Sequence, residues 1–146
     1  MEAILLIGIQ GAGKSTLYRE HFFNTHVRIS LDLLRTRNRE QRLLTFCLEI
    51  GQRFVIDKTN TTAAERVRYI APARAAGFKV IGYFFEPDPK GSFERNRQRT
   101  RQVPPAGLFG TLKRLEHPVF EEGFDVLHRV VLTSEGGFAI SAYADE

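Results

Sequence analysis

The sequence predicts a three-layer α/β fold in one domain spanning 1–146, a mostly parallel sheet of about five strands with helices on both faces. Three observations carry this expectation. Apolar runs alternate with segments of helical period, and such alternation places crossover helices between parallel strands. The runs are continuous rather than alternating, as strands buried on both faces require. A length of 146 residues, 42% hydrophobic and 26% charged, suits one globular unit and leaves no room for a second enzyme.

Ala3 to Ile7 is the first apolar run and ends at Gly8, and Lys14 to about Phe22 has helical length and period. Val27 to Ser30 reads as the second strand, and Leu31 to Ile50 as a helical stretch with a break. Phe54 to Ile56 is the third strand, Thr62 to Ala76 a helix, and Val80 to Phe85 the fourth strand. Pro89 to Arg101 and Leu108 to Glu116 are helical, and Val126 to Leu132 is the fifth strand. Gly51 and Gly77 stand where helices would close in the left-handed conformation. The tail beyond Thr133 is compatible with a short hairpin strand or a loose end.

Composition excludes several classes of function. The lone Cys47 allows no intrachain disulfide or thiolate cluster, and its apolar helical setting reads as core. His21, His26, His117 and His128 lack ligand spacing, so structural zinc is not expected. No apolar run approaches 18 residues, so the expectation is a soluble, cytoplasmic protein without a membrane partner. The net charge of +4 is unevenly spread: 1–114 carries 20 Lys/Arg and 10 Asp/Glu, whereas 115–146 carries 1 and 7. Such a surplus in the first region suits an anionic partner. Phe22, Phe23, Phe84 and Phe85 read as core, and Phe109, between Gly107 and Gly110, as an aromatic that a loop could present.

Gly8-Ile9-Gln10-Gly11-Ala12-Gly13-Lys14-Ser15 matches G-x-x-x-x-G-K-[ST] between a predicted strand and a predicted helix. In such a P-loop, glycines let backbone N–H groups converge on phosphate oxygens while the helix adds its positive end. Gly8, Gln10, Gly11, Ala12, Gly13, Lys14, Ser15 and Thr16 are therefore the candidate nucleotide-binding residues. Lys14 would reach the β- and γ-phosphates, and the Ser15 hydroxyl would ligate Mg2+. The fold expectation sharpens to a P-loop nucleoside triphosphate hydrolase fold, with ATP and Mg2+ as cofactors.

The acceptor side must come from other strand ends. Ser30, Asp32 and Arg35 follow the second strand, with Asp32 and Arg35 neighbours on one helical face at i, i+3. Asp32 could take a proton from an attacking hydroxyl and Arg35 could hold an acceptor phosphate. The simpler reading makes Ser30 or Asp32 a helix N-cap and Arg35 a solvated partner. Asp57 ends the third strand where an outer-shell Mg2+ contact belongs, and so rivals Asp32. Asn60 suits a cap or a functional role equally, and Lys58 has none assigned.

Arg95, Arg97, Arg99 and Arg101 crowd one predicted helix before Val103-Pro104-Pro105. Arg95 and Arg99 share a face and would form a lid that brings positive charge to the transferring phosphoryl group; a solvated basic face is the alternative. Arg39 and Arg42 extend the Arg35 face by one and two turns, a stripe along which a nucleic-acid backbone could lie.

Together, GIQGAGKST at 8–16, ISLDLLR at 29–35, VIDKTN at 55–60, ARAAGFKV at 73–80, ERNRQR with VP within 94–104, and PVFEEGFD at 118–125 cover most of the chain. They resemble the kinase domain of polynucleotide 5′-hydroxyl kinases, the phage and animal end-healing enzymes. The P-loop is widely shared, whereas S-x-D-x-x-R, D-x-T-N and the arginine lid are specific as a set. The resemblance implies Lys14 and Ser15 at the phosphates and Mg2+, Asp32 as general base, Arg35 on the acceptor's end phosphate, and Arg95 and Arg99 in the lid. The chain departs from the family in having no phosphatase or ligase module and in carrying Lys58. The resulting expectation is ATP-dependent phosphoryl transfer to the 5′-hydroxyl end of DNA or RNA. The same machinery would serve a kinase of a nucleoside, sugar or antibiotic hydroxyl, or a nucleotide-dependent binding module without kinase activity.

Overall fold

The computed structural model describes residues 1–98 and 103–144. Its elements in chain order are β1 (Glu2–Ile7), α1 (Lys14–His21), β2 (Val27–Ile29), α2 (Leu31–Leu34), α3 (Arg37–Ile50), β3 (Phe54–Asp57) and α4 (Ala63–Ala75). There follow β4 (Lys79–Phe85), α5 (Pro89–Arg97), α6 (Pro105–Arg114), a single 3-10 turn at Phe120–Glu122, β5 (Val126–Leu132) and β6 (Phe138–Ala142). No helix among the described residues is long and apolar enough to cross a membrane.

The sheet has the order β2-β3-β1-β4-β5-β6, parallel throughout except for the antiparallel β5–β6 pair. β1 lies between β3 and β4; the connection from β1 runs to β2 on one side and that from β4 runs to β5 on the other, which opens a crevice at their carboxyl ends. Its side chains explain its continuous apolar run: Ala3, Leu5 and Ile7 pack into one core cluster, and Ile4 and Leu6 into the other. The first cluster includes Leu44 and Cys47 of α3 and Tyr69, Ile70 and Ala73 of α4; the second includes Leu17 and Tyr18 of α1.

Of the two readings of the tail the hairpin strand is the one that forms, and the expected break in 31–50 is present, while other details differ from the expectation. The tail forms a sixth strand: Gly136 takes a φ of 84°, Thr133 N–H donates to Gly137 O at 2.9 Å, and β6 pairs with β5. The stretch 31–50 breaks at Arg35, whose φ of 73° closes α2 after one turn before Thr36 caps α3 by accepting from Arg39 N–H. Arg35 therefore does not share a helical face with Asp32, and Arg39 and Arg42 do not continue from it. Gly51 closes α3 at φ 72°, and Gly77, at φ 81° just past the Ala76 cap, closes α4 as expected, with Phe78 N–H donating to Ala73 O at 2.9 Å. Phe22 is core but Phe23 is 66% exposed. Phe109 lies within α6 rather than on a loop.

Candidate functional site: the phosphate loop and its cleft

Gly8 follows β1 directly, and its N–H donates to Thr59 O at 3.0 Å, which ties the loop to the segment after β3. At the other end, Gly13 takes φ 98° as it enters α1, a conformation that glycine adopts without a Cβ clash. Gly11, at φ 76°, lies so close to α5 that a Cβ there would sit 2.6 Å from Ser92 O. Residues 8–15 thus curl around the start of α1, with Lys14 and Ser15 on its first turn. The Lys14 ammonium donates to Gly8 O at 2.9 Å and Ile9 O at 2.7 Å, so it is held over the loop.

Asp57 is brought to the loop by sheet register, since β3 pairs with β1 from Ala3 opposite Phe54 to Leu6 opposite Asp57. Its Oδ2 accepts from Ser15 Oγ at 2.9 Å and from Arg28 Nε at 2.8 Å, and Arg28 Nη2 donates to Ser15 Oγ at 3.3 Å. A hydroxyl and a carboxylate so placed are hard oxygen donors of the kind Mg2+ takes. Lys14, Ser15, Thr16, Arg28, Ser30, Asp32, Asp57, Lys58, Arg95 and Val103 line one cleft of about 380 Å³ with Gln10, Gly11 and Gly13. Gly8 is buried and does not line the cleft, and Ala12 lines a second cavity that Arg95 also borders.

Ser30 caps α2 by accepting from Leu33 N–H at 3.4 Å, which leaves Asp32 exposed in the cleft one residue into the helix. Arg35 is exposed and is not among the residues lining the cleft. Arg95 donates through Nε to Gly11 O and through Nη2 to Ser92 Oγ at 3.1 Å. Burial presses its pKa below the usual arginine value, opposed by nearby Asp88. Asn96 clasps Val103, donating to its carbonyl at 2.5 Å and accepting from its N–H at 2.8 Å. The expectation for Arg99 and Arg101 falls outside the described residues.

The two readings of Asn60 give way to a third, since Thr62 caps α4 by accepting from Glu65 N–H at 3.2 Å. Asn60 adopts φ 49°, is fully buried, and donates to Leu6 O at 2.7 Å. Arg66, also fully buried, donates to Asn60 O at 2.7 Å and pairs with Glu122 through two bonds of 2.7 and 3.1 Å. Lys58 likewise finds partners: it donates to Tyr69 OH at 2.6 Å and lies 3.4 Å from Glu40. Tyr69 in turn donates to Glu40 at 2.8 Å, and burial together with that bond raises its pKa well above the usual phenol.

Sequence reasoning missed Arg28, whose signal was a lone charge between Val27 and Ile29. It also missed Thr111, which accepts from Gln10 at 2.9 Å and ties α6 to the loop.

A strand–loop–helix with glycines in left-handed backbone, a lysine and serine on the first turn, and an aspartate on the adjacent strand define a P-loop nucleotide-binding protein of kinase-like α/β fold. More particularly, the chain belongs to the AAA domain family, whose model matches residues 4–118. It is 24% identical over 135 residues to the bifunctional polynucleotide phosphatase/kinase of Schizosaccharomyces pombe, covering 88% of this chain and 33% of that protein. The chain thus spans about a third of that curated relative's length. Among solved structures, one of the PezAT chromosomal toxin–antitoxin system of Streptococcus pneumoniae matches with a TM-score of 0.71 at 18% identity, covering 94% of this chain and 70% of that one. Kti12 of Chaetomium thermophilum with ADP-AlF3 matches at 0.69 and 15% identity, covering 88% of both chains. A gluconokinase from Sinorhizobium meliloti matches at 0.62 and 18%, covering 89% and 82%. These structural likenesses show the fold.

Proposed function

We propose that the protein is an ATP-dependent kinase that transfers the γ-phosphoryl group to the 5′-hydroxyl end of a polynucleotide. The observation that carries the kinase reading is the opening of Asp32 into the same cleft as Lys14, Ser15, Asp57 and Arg95. The loop N–H groups and Lys14 would hold the triphosphate, and Arg95 would bring α5 against the loop at Gly11. Ser15 and Asp57 would hold Mg2+, which would supply neutralising charge for the triphosphate. Asp57 Oδ2 already accepts two hydrogen bonds, which supports Asp32 as the base. Asp32 takes the acceptor hydroxyl proton, the acceptor oxygen forms its bond to the γ-phosphorus, and the bond from that phosphorus to the bridging oxygen breaks to leave ADP.

The polynucleotide acceptor is supported by the S-x-D-x-x-R, D-x-T-N and lid segments and by the distant fission-yeast relative. A small-molecule hydroxyl is favoured by a different observation: the cleft of about 380 Å³ has the size of a small-ligand site, and Arg35 is not among its lining residues. Radiolabelled ATP supplied with 5′-hydroxyl oligonucleotides, 3′-nucleoside monophosphates and a panel of sugars and nucleosides separates these readings. Label on the oligonucleotides is expected; label moving to metabolites alone would sink the polynucleotide reading. Asp32→Asn is expected to slow transfer by about 100-fold or more, and near-normal turnover would remove Asp32 as the base.

A further inference from the structure

We propose that Arg28 competes with the divalent cation for Ser15 and Asp57, so that metal–nucleotide binding must lift its guanidinium off these oxygens and turn it toward the Asp32 side of the cleft. The inference rests on the reading of Ser15 and Asp57 as the cation's donors.

The argument is one of lone pairs. Ser15 Oγ donates its proton to Asp57 Oδ2 at 2.9 Å, which leaves its lone pairs for a cation, so that bond and a bound metal are compatible. Arg28 Nη2 donates to the same Oγ at 3.3 Å and takes one of its two lone pairs, so a cation would have to use the remaining pair directly beside a positive guanidinium. Arg28 Nε donates to Asp57 Oδ2 at 2.8 Å, so with Ser15 this oxygen already accepts two hydrogen bonds, and the guanidinium neutralises the carboxylate charge that would draw a cation. Two positive centres on one oxygen pair also repel, and their interaction through the open cleft is attenuated but not abolished by solvent.

The local fold allows the exchange. Arg28 is central in β2, one of the two edge strands of the sheet, with Val27 and Ile29 packed on the first core cluster and its own side chain on the opposite face. That side chain is 32% exposed whereas the Asp57 side chain is 4% exposed, so the arginine is the partner free to turn. Arg28 and Asp32 line the same cleft, and a guanidinium released there would meet an acceptor bearing phosphate.

The test compares the affinity for AMP-PNP with and without Mn2+ by calorimetry in the wild type, Arg28→Gln and Arg28→Lys. The ratio of the two affinities isolates the metal's share, and the metal-free value reports whether each variant keeps a folded loop. Removing the competing charge is expected to raise the ratio about fivefold at low salt, the size of a good exposed ion pair, with a smaller gain at high salt. Arg28→Lys, which keeps the charge but loses the two-point fork, is expected to fall between, and it decides the matter if the glutamine variant does not fold. A ratio near one in the wild type would overturn the metal reading itself. A ratio above one that both folded variants leave unchanged or lower overturns the competition alone. Phosphoryl transfer is not needed for this readout, so the acceptor assay can fail while this result stands.

Discussion

The two sides of the cleft are built differently. The loop 8–15 is backed by buried, directional bonds: Gly8 N–H to Thr59 O, Asn60 to Leu6 O, and Arg66 to Asn60 O and Glu122, with Asn60 and Arg66 fully buried. The opposite rim, made of four-residue α2, Arg35 and the start of α3, has Asp32, Leu33, Arg35, Arg37 and Arg39 all exposed. Charged donors that must meet phosphate oxygens gain from pre-set positions, because reorganising them during reaction would cost rate. A rim that admits an acceptor and releases product gains from exposed side chains and a short helix. Buried bonding thus sits behind the phosphate loop, and exposed side chains lie where the proposed acceptor would enter.

Substitutions ranked by size can break or sharpen that contrast. Arg66→Ala should act most strongly, since it leaves Glu122 and Asn60 O without their buried partner; about 3–5 kcal/mol of stability should be lost in urea unfolding. A loss well under 1 kcal/mol would mean that this buried bonding does not back the loop. Lys14→Ala should reduce single-turnover phosphoryl transfer by about 100- to 1000-fold while the urea midpoint changes little. Nearly unchanged transfer would show that the loop works without its ammonium. Gly11→Ala places a Cβ 2.6 Å from Ser92 O in a left-handed backbone position and should cost about 1–3 kcal/mol, read by denaturation alongside weaker nucleotide binding. On the rim, Arg35→Ala should have the smallest effect, about fivefold or less on the apparent affinity for a 3′-phosphorylated acceptor. A hundredfold loss would mean that the rim rebuilds around the acceptor and brings Arg35 inside.

Legibility in the sequence followed the range of each interaction. G-x-x-x-x-G-K-S was readable because its chemistry lies within eight consecutive residues, and the apolar runs because burial on two faces marks each residue of a strand. The i, i+3 spacing of Asp32 and Arg35 misled because it presumes an unbroken helix. Ser30 and Thr36, two capping residues six apart, were the local sign that a second helix starts after Arg35. Arg66 and Glu122 stand 56 residues apart, so nothing local marked the pair. For β6, Gly136-Gly137 marked a turn, but its pairing needed the open edge of β5.

By itself the sequence determined an alternating α/β chain with a phosphate loop after its first strand, because periodicity, glycine and helix-start chemistry are properties of neighbouring residues. Tertiary structure decided which charges meet. Sheet register sets Arg28 opposite Val55, two residues before Asp57, and sets Leu6 opposite Asp57 near the loop. Arg28, Ser15 and Asp57 lie on three different elements, and only the strand order β2-β3-β1 makes them one cluster.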